Sequence, residues 1–317
     1  MLHIRKFRDG LPLFKALSSE VRVTIVEMLL ENGQMRMSAI SEELRLTNGA
    51  LTPHIKALTD CGIVIIDTAV GKHGVQKVCR VNSESILIDP FENEAERNVY
   101  ETEISVGQYT AWEVYPTCGI ATPEHLIGEV DDPRYFASPE RMNAGILWLG
   151  RGFVEYMIPN YLHVNQQLTE IQISLEISSE APGSAEDWPS DIYFAINGHE
   201  VGYWTSPGDF GVRQGVYNPS WWFRNWNQHG LYKLLSINGS GTYIDGGKIS
   251  DVTLEELGIA HGSGLSLRVS APEKARNQGG LTIFGRTFGN YHEDIKVRLY
   301  YKEGEGRRSE ALGNKAR

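Results

Sequence analysis

Five of the seven tryptophans in this 317-residue chain fall between positions 188 and 226, and polar side chains are interleaved with them. Sugar rings present apolar C–H faces that pack on aromatic planes, while planar polar side chains hydrogen-bond their hydroxyl groups. The segment therefore predicts a small-molecule site, with a sugar as the favoured ligand class, although flat aromatic ligands would also fit. The residues assigned to this effector site are Trp188, Asp191, Trp204, Asp209, Arg213, Trp221, Trp222, Arg224 and Trp226. The alternative is a structural role, because Trp fills sandwich cores and Asp forms turns.

Short polar side chains also follow a predicted turn at Thr47 and Asn48, along a helix that ends at Cys61. Thr and Asn can contact base edges or phosphates, and a Lys suits a phosphate or a guanine. We expect this helix to begin near Ala50, which places Pro53 in the first turn, where proline is tolerated. The predicted DNA contacts, which include a basic hairpin tip, are Thr47, Asn48, Ala50, Thr52, His54, Lys56, Lys72, His73 and Lys77. The alternative is a helix face that is merely solvated.

Two other groups of residues could support catalysis. Cys118 lies near His125 and Glu124, but nothing nearby in the sequence supplies an orienting group or an oxyanion hole, so a small buried Cys is favoured. Two carboxylates can hydrolyse a glycoside if they lie about 5–10 Å apart, and the candidates are Glu155, Glu176 and Asp191. Carboxylates on strand faces are usually only solvated, so we expect no enzymatic activity. The three cysteines have no metal or disulfide spacing, and we expect neither a metal nor a cofactor.

Residues 12–82 contain the elements that would position the DNA contacts. A buried stripe along the second helix is predicted from apolar residues three or four apart, which are Val23, Val26, Leu29 and Leu30. Strands at 63–68 and 76–81 flank a glycine-bounded tip at 71–74. Helix, turn, helix and hairpin in this order place one helix in the major groove of DNA, while the wing contacts flanking phosphates.

Three motifs in this stretch resemble, in their order, the ArsR-type bacterial transcriptional regulators. The motifs are ALSSEVR at 16–22, ISEEL at 40–44 and LTPHIKALTDCGIV at 51–64. The resemblance implies a homodimer whose paired recognition helices bind a double-stranded DNA operator under the control of an effector. ArsR metal sensors often carry a Cys-x-Cys pair where this chain has Arg36 and Ser38, and the segment 92–100, where the family's second metal site would lie, contains no His. The resemblance therefore implies a regulator that does not sense metals through the family's usual sites.

The net charge of −10 is divided unevenly along the chain. Residues 1–82 contain 11 Lys and Arg against 8 Asp and Glu, a balance of +3, and the remainder contains 19 against 32, a balance of −13. Phosphate contact is local, so an acidic remainder does not exclude DNA binding, but it suggests that this part faces away from DNA. No stretch reaches the roughly 20 apolar residues that a membrane span needs, and residues 1–10 do not resemble a secretory signal. We expect a cytoplasmic protein without a membrane partner.

From residue 152 onward, strand-like segments recur between Gly-rich turns. The clearest is 168–177, where Ile and Leu alternate with polar residues, and Asn-Gly pairs at 197–198 and 238–239 suit tight hairpins. About nine such strands predict an antiparallel β-sandwich of jelly-roll type. The predicted fold class is therefore α+β and multidomain. Its parts are a winged helix-turn-helix at 1–90, a connecting or dimerisation region of uncertain fold at 91–150, a β-sandwich effector domain at 151–302 and a flexible tail at 303–317.

Three functions compete for the C-terminal part. The aromatic-rich, acidic sequence favours a sensor domain in which a sugar-like effector alters the affinity for DNA. A protein-interaction or oligomerisation module, with the Trp cluster buried at an interface, would use the same composition. A glycan-active enzyme is the least favoured. A ligand-induced change in Trp fluorescence separates the first function from the second.

Overall fold

The computed structural model describes residues 2–4, 7–71, 74–82, 86–88 and 98–304, and the chain separates into two compact units, residues 1–94 and 95–317. The helices of the first unit are α1 (Leu11–Leu17), α2 (Glu20–Asn32), α3 (Met37–Glu43) and α4 (Asn48–Asp60). Its strands are β1 (Leu2–Ile4), β2 (Gln34–Arg36), β3 (Val64–Gly71), β4 (Gly74–Val81) and β5 (Ile86–Ile88). β2, β4 and β3 form an antiparallel sheet in that order, and β1 pairs in parallel with β5. The predicted order of helices followed by a hairpin is confirmed.

The buried face of α2 differs from the predicted stripe. Ile25 and Leu29 are fully buried, whereas Val23 and Val26 are half-buried and Leu30 is 45% exposed. Ile25 and Leu29 are four residues apart and therefore lie on one helix face. That face packs into the core shared with the other helices, so the buried side of α2 is rotated away from the side that the sequence pattern predicts.

The arginine of the ALSSEVR motif has a structural role. Arg22 donates from Nε to the carbonyl of Ala16 at 2.5 Å and from Nη2 to the carbonyl of Lys15 at 2.8 Å. The last carbonyls of a helix have no donor within the helix, so this arginine satisfies the C-terminal end of α1. The two bonds tie the end of α1 to the first turn of α2.

The second unit is built almost entirely of strands, and all of their pairings are antiparallel. The strands are β6 (Asn98–Ile104), β7 (Ala111–Ala121), β8 (Ile146–Met157), β9 (Gln166–Ser178), β10 (Ser190–Ile196), β11 (His199–Ser206), β12 (Leu231–Asn238), β13 (Gly241–Ile244), β14 (Gly247–Ser250), β15 (Ser266–Ala271), β16 (Leu281–Phe284) and β17 (Ile295–Glu303). Two 3₁₀ turns (Pro133–Ala137 and Pro139–Asn143) and the one-turn helix α5 (Leu254–Leu257) complete it. Within the described part of the chain, no helix has the length and apolar composition needed to cross a membrane.

The short strand β16 joins two layers of this unit into one sheet. One layer has the order β7–β8–β15–β10–β11, and the other has the order β6–β17–β9–β12–β13–β14. β16 pairs with the first part of β8 and with the end of β9. At the far edges β11 approaches β14, where Ser250 Oγ donates to the carbonyl of Val201 at 2.6 Å. The predicted antiparallel β domain is present, but its layers belong to one nearly closed sheet instead of the separate sheets of a jelly-roll sandwich.

Both faces of β9 are buried. Its apolar residues belong to the main core, and the alternating polar residues Gln172, Ser174 and Glu176 are only 2–4% exposed. The Glu176 carboxylate accepts hydrogen bonds from the backbone N–H groups of Gly230 at 2.9 Å and Tyr291 at 3.0 Å. Loops therefore cover the polar face, and backbone donors compensate for burial of the carboxylate.

The region predicted as a connector belongs to the β unit. β6 pairs with β17 and β7 pairs with β8, so residues 98–150 are part of the sheet and its edges instead of a segment between domains. The sequence predicts an extended run over 105–115, which overlaps the first half of β7, whereas Pro116 and Gly119 interrupt the alternation in its second half. The chain divides after Glu94 instead of at residue 90, and residues 305–317 of the predicted tail lie outside the described residues.

Candidate DNA-binding face and candidate effector site

α4 begins at Asn48 because Thr47 caps it. Thr47 Oγ1 accepts a hydrogen bond from the backbone N–H of Ala50 at 3.2 Å, and the backbone of Thr47 is extended. The predicted start near Ala50 is therefore wrong, and Pro53 lies inside the helix instead of in its first turn. Because proline has no N–H, the carbonyl of Gly49 lacks its usual donor four residues along the helix.

The two faces of α4 have opposite character. Leu51, Ile55 and Leu58 are buried in the helical core at the spacing of one helix face. The exposed residues of the helix and its cap include the predicted contacts Thr47, Asn48, Ala50, Thr52 and Lys56. Asn48, Thr52 and Lys56 follow one another at intervals of four and form a row along the exposed face. The row carries an amide, a hydroxyl and an ammonium, which are groups that contact base edges and phosphates.

His54 differs from the other predicted contacts on this helix. It is half-buried, and its Nδ1 is buried without a hydrogen-bond partner among the described residues. His54 therefore lies at the border between the buried and exposed faces, outside the row of Asn48, Thr52 and Lys56.

The hairpin of β3 and β4 carries the remaining predicted contacts. Lys77 is exposed on β4, while Lys72 and His73 at the tip lie outside the described residues. Arg80 on the same strand pairs with Asp67, with 2.7 Å between Nε and Oδ2. Arg80 would have to leave this ion pair to contact a phosphate. Lys77 is outside the pair and is therefore the better candidate among the described cations of the hairpin.

A side-chain hydrogen bond fixes the turn between α3 and α4. Ser41 Oγ donates to the carbonyl of Leu46 at 2.5 Å, and Arg45 has a φ of 53°, in the left-handed region. At the start of α3, Arg36 and Ser38 are exposed and offer no thiolate. In the part of the chain that the structure describes, no group of three or more His, Cys, Asp or Glu side chains could hold a metal ion.

Four tryptophans of the second unit, Trp148, Trp221, Trp222 and Trp226, form one aromatic cluster. Trp222 is 4% exposed and contacts Trp226 and Trp148, with ring centroids 5.2 and 5.9 Å away. Trp221 packs against Trp222 and donates from Nε1 to the carbonyl of Pro123 at 2.6 Å. Trp221 and Trp222 thus support the cluster, while Trp226 and Trp148 also line a cleft.

This cleft, called the indole cleft below, has a volume of about 260 Å³. Its lining residues are Thr117, Val130, Asp131, Trp148, Glu180, Pro182, Gly183, Trp226 and Asn227. Clefts for drug-sized ligands measure about 300–1,000 Å³, so this one suits a single small ring. A hydroxyl, an amide and two carboxyl groups converge beside two indoles, which matches the combination that sugar rings require.

Glu180 is buried in the cleft among neutral partners. Its Oε1 accepts from Thr117 Oγ1 at 3.1 Å, and its Oε2 accepts from Asn227 Nδ2 at 3.0 Å and from Thr282 Oγ1 at 3.1 Å. Burial raises the pKa of Glu180 well above that of an ordinary carboxyl group, and the charge of Asp209 adds to the increase. The carboxyl group therefore retains its proton to an unusually high pH.

Asp209 is fully buried beside the segment that follows Glu180. Its Oδ2 accepts from the backbone N–H of Ala181 at 3.1 Å, and its Oδ1 has no hydrogen-bond partner among the described residues. Burial raises the pKa of Asp209 to about 7, and Glu186 adds to this effect. The sequence predicted an effector contact here, but the side chain supports the cleft and does not line it.

Other predicted effector residues also lie outside the lining of the indole cleft. Asp191 is buried and accepts from Thr205 Oγ1 at 2.7 Å and from Asn277 Nδ2 at 2.9 Å, so it holds two chain segments together. Trp204 packs against the main core. The exposed members of this set are Trp188, Arg213 and Arg224.

A second cleft, of about 270 Å³, lies along β7, β8 and β15. Arg151 lies 4.2 Å from the ring centroid of Tyr115, and Arg268 lies 3.9 Å from that of Phe153. Arg268 also pairs with Glu155 at 2.9 Å, so this candidate catalytic carboxylate is engaged in an ion pair. Rings and carboxylates already engage the cations of this cleft, and none of the described Trp residues contributes to its lining.

The alternative nucleophile has no activating partner. Cys118 is fully buried, and burial raises the pKa of its thiol to about 12. His125 lies 2.9 Å from Glu140, with Nε2 and Oε1 as the nearest atoms, on an exposed surface. The buried-Cys interpretation therefore fits the geometry better than a Cys–His pair.

Sequence analysis did not assign Trp148, Glu180 or Asn227 to a site. Trp148 lies in the buried run ILWL of β8, far along the chain from the other tryptophans. Glu180 follows β9 directly, and Asn227 adjoins Trp226 among the interleaved polar residues. Proximity to Trp226 could have indicated Asn227, but only the pairing of β8, β16 and β9 brings Trp148 and Glu180 to it.

Comparison with known proteins bears mainly on the first unit. No curated protein matches the chain. Matching solved structures include the insecticidal delta-endotoxin Cry8Ea1 of Bacillus thuringiensis (8% identity, 76% of this chain and 30% of that one, TM-score 0.27). They also include dimeric latent PorU from Porphyromonas gingivalis (9% identity, 76% of this chain and 18% of that one, TM-score 0.25). The chain spans less than a third of each, and TM-scores this low carry no argument.

Residues 19–65 match the family model described as "Bacterial regulatory protein, arsR family". The match runs from the cap of α2 through α3 and the whole of α4 into β3. It therefore contains the turn fixed by Ser41 and the exposed row on α4. This part of the chain is therefore similar to the helix-turn-helix of the ArsR family, which supports a DNA-binding transcription regulator.

Proposed function

We propose that this protein is a homodimeric transcriptional regulator whose β unit binds a sugar in the indole cleft and thereby alters the affinity of the helix-turn-helix for an operator. The observation that carries the sensing half is the convergence of Trp148, Trp226, Asn227 and Glu180 on one small cleft. The DNA-binding half is supported by the family match and by the exposed row on α4.

Sugar recognition needs an apolar platform and polar groups at its edge. Trp226 is half-buried, so part of its indole is available to a ligand, whereas Trp148 is 5% exposed and closes the wall behind it. Asn227 Nδ2 already donates to Glu180 and Thr282, so a ligand adds to a hydrogen-bond network that is in place before binding. Preorganised polar groups lower the entropic cost of binding.

Regulation requires that the sugar bind one DNA-binding state more tightly than the other. A ligand with equal affinity for both states does not change their populations, however tightly it binds. A coupling of about 1–3 kcal/mol, or roughly 5- to 150-fold in operator affinity, is typical of allosteric proteins.

The proposal is tested with the full-length protein and an operator selected from random duplexes. Operator affinity is measured by fluorescence anisotropy with and without each member of a panel of neutral mono- and disaccharides. At least one sugar is expected to change the affinity fivefold or more. Trp226→Ala should abolish this response, whereas Tyr203→Ala, at an exposed residue of β11 outside the lining, should retain it. Operator affinity that is indifferent to the whole panel would refute the sensing half.

A second candidate function is protein interaction, and a specific observation favours it. The long segment between β11 and β12 exposes several large apolar side chains, which are Val212, Val216, Tyr217 and Phe223. Contiguous apolar patches mark protein interfaces, and these four exposed side chains fall within 12 residues of the chain. An interface module would give no change in Trp fluorescence or melting temperature with any sugar, whereas a sensor stabilises by mass action.

The proposal assigns the β unit a binding role and no catalytic one. The candidate carboxylates Glu155, Glu176 and Asp191 are each held by partners of their own. Hydrolysis of a chromogenic glycoside that is lost on Glu155→Gln would contradict this assignment.

A further inference from the structure

The indole cleft is acidic, and its lining contains no basic side chain among the described residues. Its two ionisable lining groups are Asp131 and Glu180. Asp131 Oδ1 accepts from the backbone N–H of Cys118 at 2.8 Å, a neutral donor that brings no positive charge to the cleft. The buried Asp209 lies close enough to influence Glu180. An incoming anion would therefore meet acidic groups without a compensating cation.

The hydrogen-bond partners of Glu180 are compatible with a protonated, uncharged carboxyl group. Its three described partners are two hydroxyls and an amide, and none carries a charge. Thr282 Oγ1 also lies 3.3 Å from the carbonyl of Ser179, so this hydroxyl can direct its proton there. The Thr hydroxyls can both donate and accept, which lets the network hold a carboxylic acid as readily as a carboxylate.

We propose that the indole cleft selects uncharged sugars and rejects sugar acids and sugar phosphates, with Glu180 acting as a neutral carboxyl group that hydrogen-bonds a ligand hydroxyl. This inference rests on the proposed function, since it concerns the ligand of the same cleft. Trp226 supplies the surface for the sugar ring, and Asn227 and Thr117 hold Glu180 in place. The cleft disfavours anionic ligands because its lining has two acidic groups and, among the described residues, no basic one.

Two physical effects exclude anions. A carboxylate or phosphate loses most of its hydration on entering a cleft of this size, and a buried charge without a partner is strongly unfavourable. Repulsion from Asp131 adds a smaller cost, because Asp131 is exposed and water screens its charge. A cationic ligand gains only a water-screened attraction from the exposed Asp131, because Glu180 is uncharged while it keeps its proton.

The test uses isothermal titration calorimetry on the full-length protein at pH 7. The compounds are D-glucose, D-galactose and D-mannose, with D-glucuronate, D-galacturonate and mannose 6-phosphate as charged counterparts and choline as a cation. A neutral sugar is expected to bind at least tenfold more tightly than its charged counterpart and more tightly than choline. Equal or tighter binding of an acid, a phosphate or choline overturns the inference but leaves an effector site in place.

Substitutions at Glu180 test the protonation state. Glu180→Gln keeps the size and the absence of charge, so it should bind the neutral sugar within about threefold of the unaltered protein. The matched control is Glu186→Gln, at an exposed glutamate whose carboxylate accepts from the backbone N–H of Val212 at 3.2 Å. A loss of thirtyfold or more in Glu180→Gln, with an unchanged melting temperature, shows that the ionised carboxylate is needed and overturns the inference.

Different measurements test the regulatory proposal and the ligand inference, so their failures can be told apart. If a neutral sugar binds selectively but operator affinity does not respond, the regulatory proposal fails and the ligand inference stands. If no compound binds and no sugar in the wider panel changes operator affinity, both fail.

Discussion

Trp148 in β8 and Trp226 in the loop before β12 meet with their ring centroids 5.7 Å apart and their planes inclined at 63°. This edge-to-face contact is a favourable arrangement of two aromatic rings and adds to the burial of both. It also decides the shape of the indole cleft, because one indole closes the wall while the other remains available at its side. The contact therefore links the packing of the β unit to ligand binding.

Truncation of the buried indole should destabilise the β unit. Trp148→Ala is expected to lower the free energy of unfolding by about 3–5 kcal/mol, because it removes a large buried side chain and leaves a cavity. Trp188→Ala, at a position 39% exposed, should cost much less. Urea denaturation followed by circular dichroism measures both. Similar losses in the two variants would contradict the supporting role of Trp148.

Asp209 should make stability depend on pH. Its pKa rises from an ordinary 3.8 to about 7 on folding, so the folded state holds a proton that the unfolded chain releases at lower pH. The stabilisation is fully present below about pH 4 and is lost as the pH rises to about 7, by about 4 kcal/mol in total. Asp209→Asn should flatten this part of the profile and stabilise the protein at pH 8. Melting curves across this range check the effect, with the exposed Asp187→Asn as the control. Identical profiles for Asp209→Asn and the unaltered protein would disprove it.

Lys56 should contribute to operator affinity through phosphate. Lys56→Ala is expected to weaken binding to every duplex by a similar factor and, since each protomer of the proposed homodimer loses one contact worth about 0.9, to reduce the slope of log K against log salt by about 1.8. Asn48→Ala should instead relax sequence preference, because an amide contacts base edges. Anisotropy titrations at several salt concentrations distinguish these effects, with the exposed Lys302→Ala of the β unit as the control. An unchanged salt slope in Lys56→Ala would exclude the contact.

Pro53 should weaken the helix that it interrupts. Pro53→Ala restores a backbone donor to the carbonyl of Gly49 and is expected to stabilise the first unit by about 1–3 kcal/mol. Thr47→Ala removes the cap of the same helix and should cost about 1 kcal/mol. Thermal unfolding of the two variants gives both signs in one experiment. Destabilisation by Pro53→Ala would show that the proline fits a local distortion of α4.

The helix-turn-helix was predictable because its signals are local. The cap at Thr47, the core positions Leu51, Ile55 and Leu58, and the glycine-bounded hairpin all depend on residues a few positions apart. The start of α4 was misplaced because Thr47 and Asn48 were assigned to a turn, which put Pro53 in the first turn of the predicted helix. The rotation of the buried face of α2 depends on packing against α1, α4, β2 and β4, which periodicity alone does not contain.

The candidate site was only partly predictable because its contacts are non-local. The Asn-Gly hairpin at 197–198 was correctly identified. Asn197 and Gly198 both have positive φ, and the identity of these two residues is enough to predict it. Trp226 was assigned to the ligand site on composition. Trp148 and Glu180 were not, because β16 is only four residues long and its two pairings are what bring β8 and the end of β9 together.

That short strand has a consequence for how the protein acquires its site. Thr282 in β16 bonds to Glu180, and the cleft is completed by groups from β7, β8, the end of β9 and the loop before β12. Contacts between such distant segments form slowly, because the entropic cost of closing long loops precedes the stabilisation that the contacts provide. The indole cleft should therefore be among the last parts of the β unit to mature during refolding. In a refolding experiment, sugar binding should therefore recover after the strand content measured by circular dichroism.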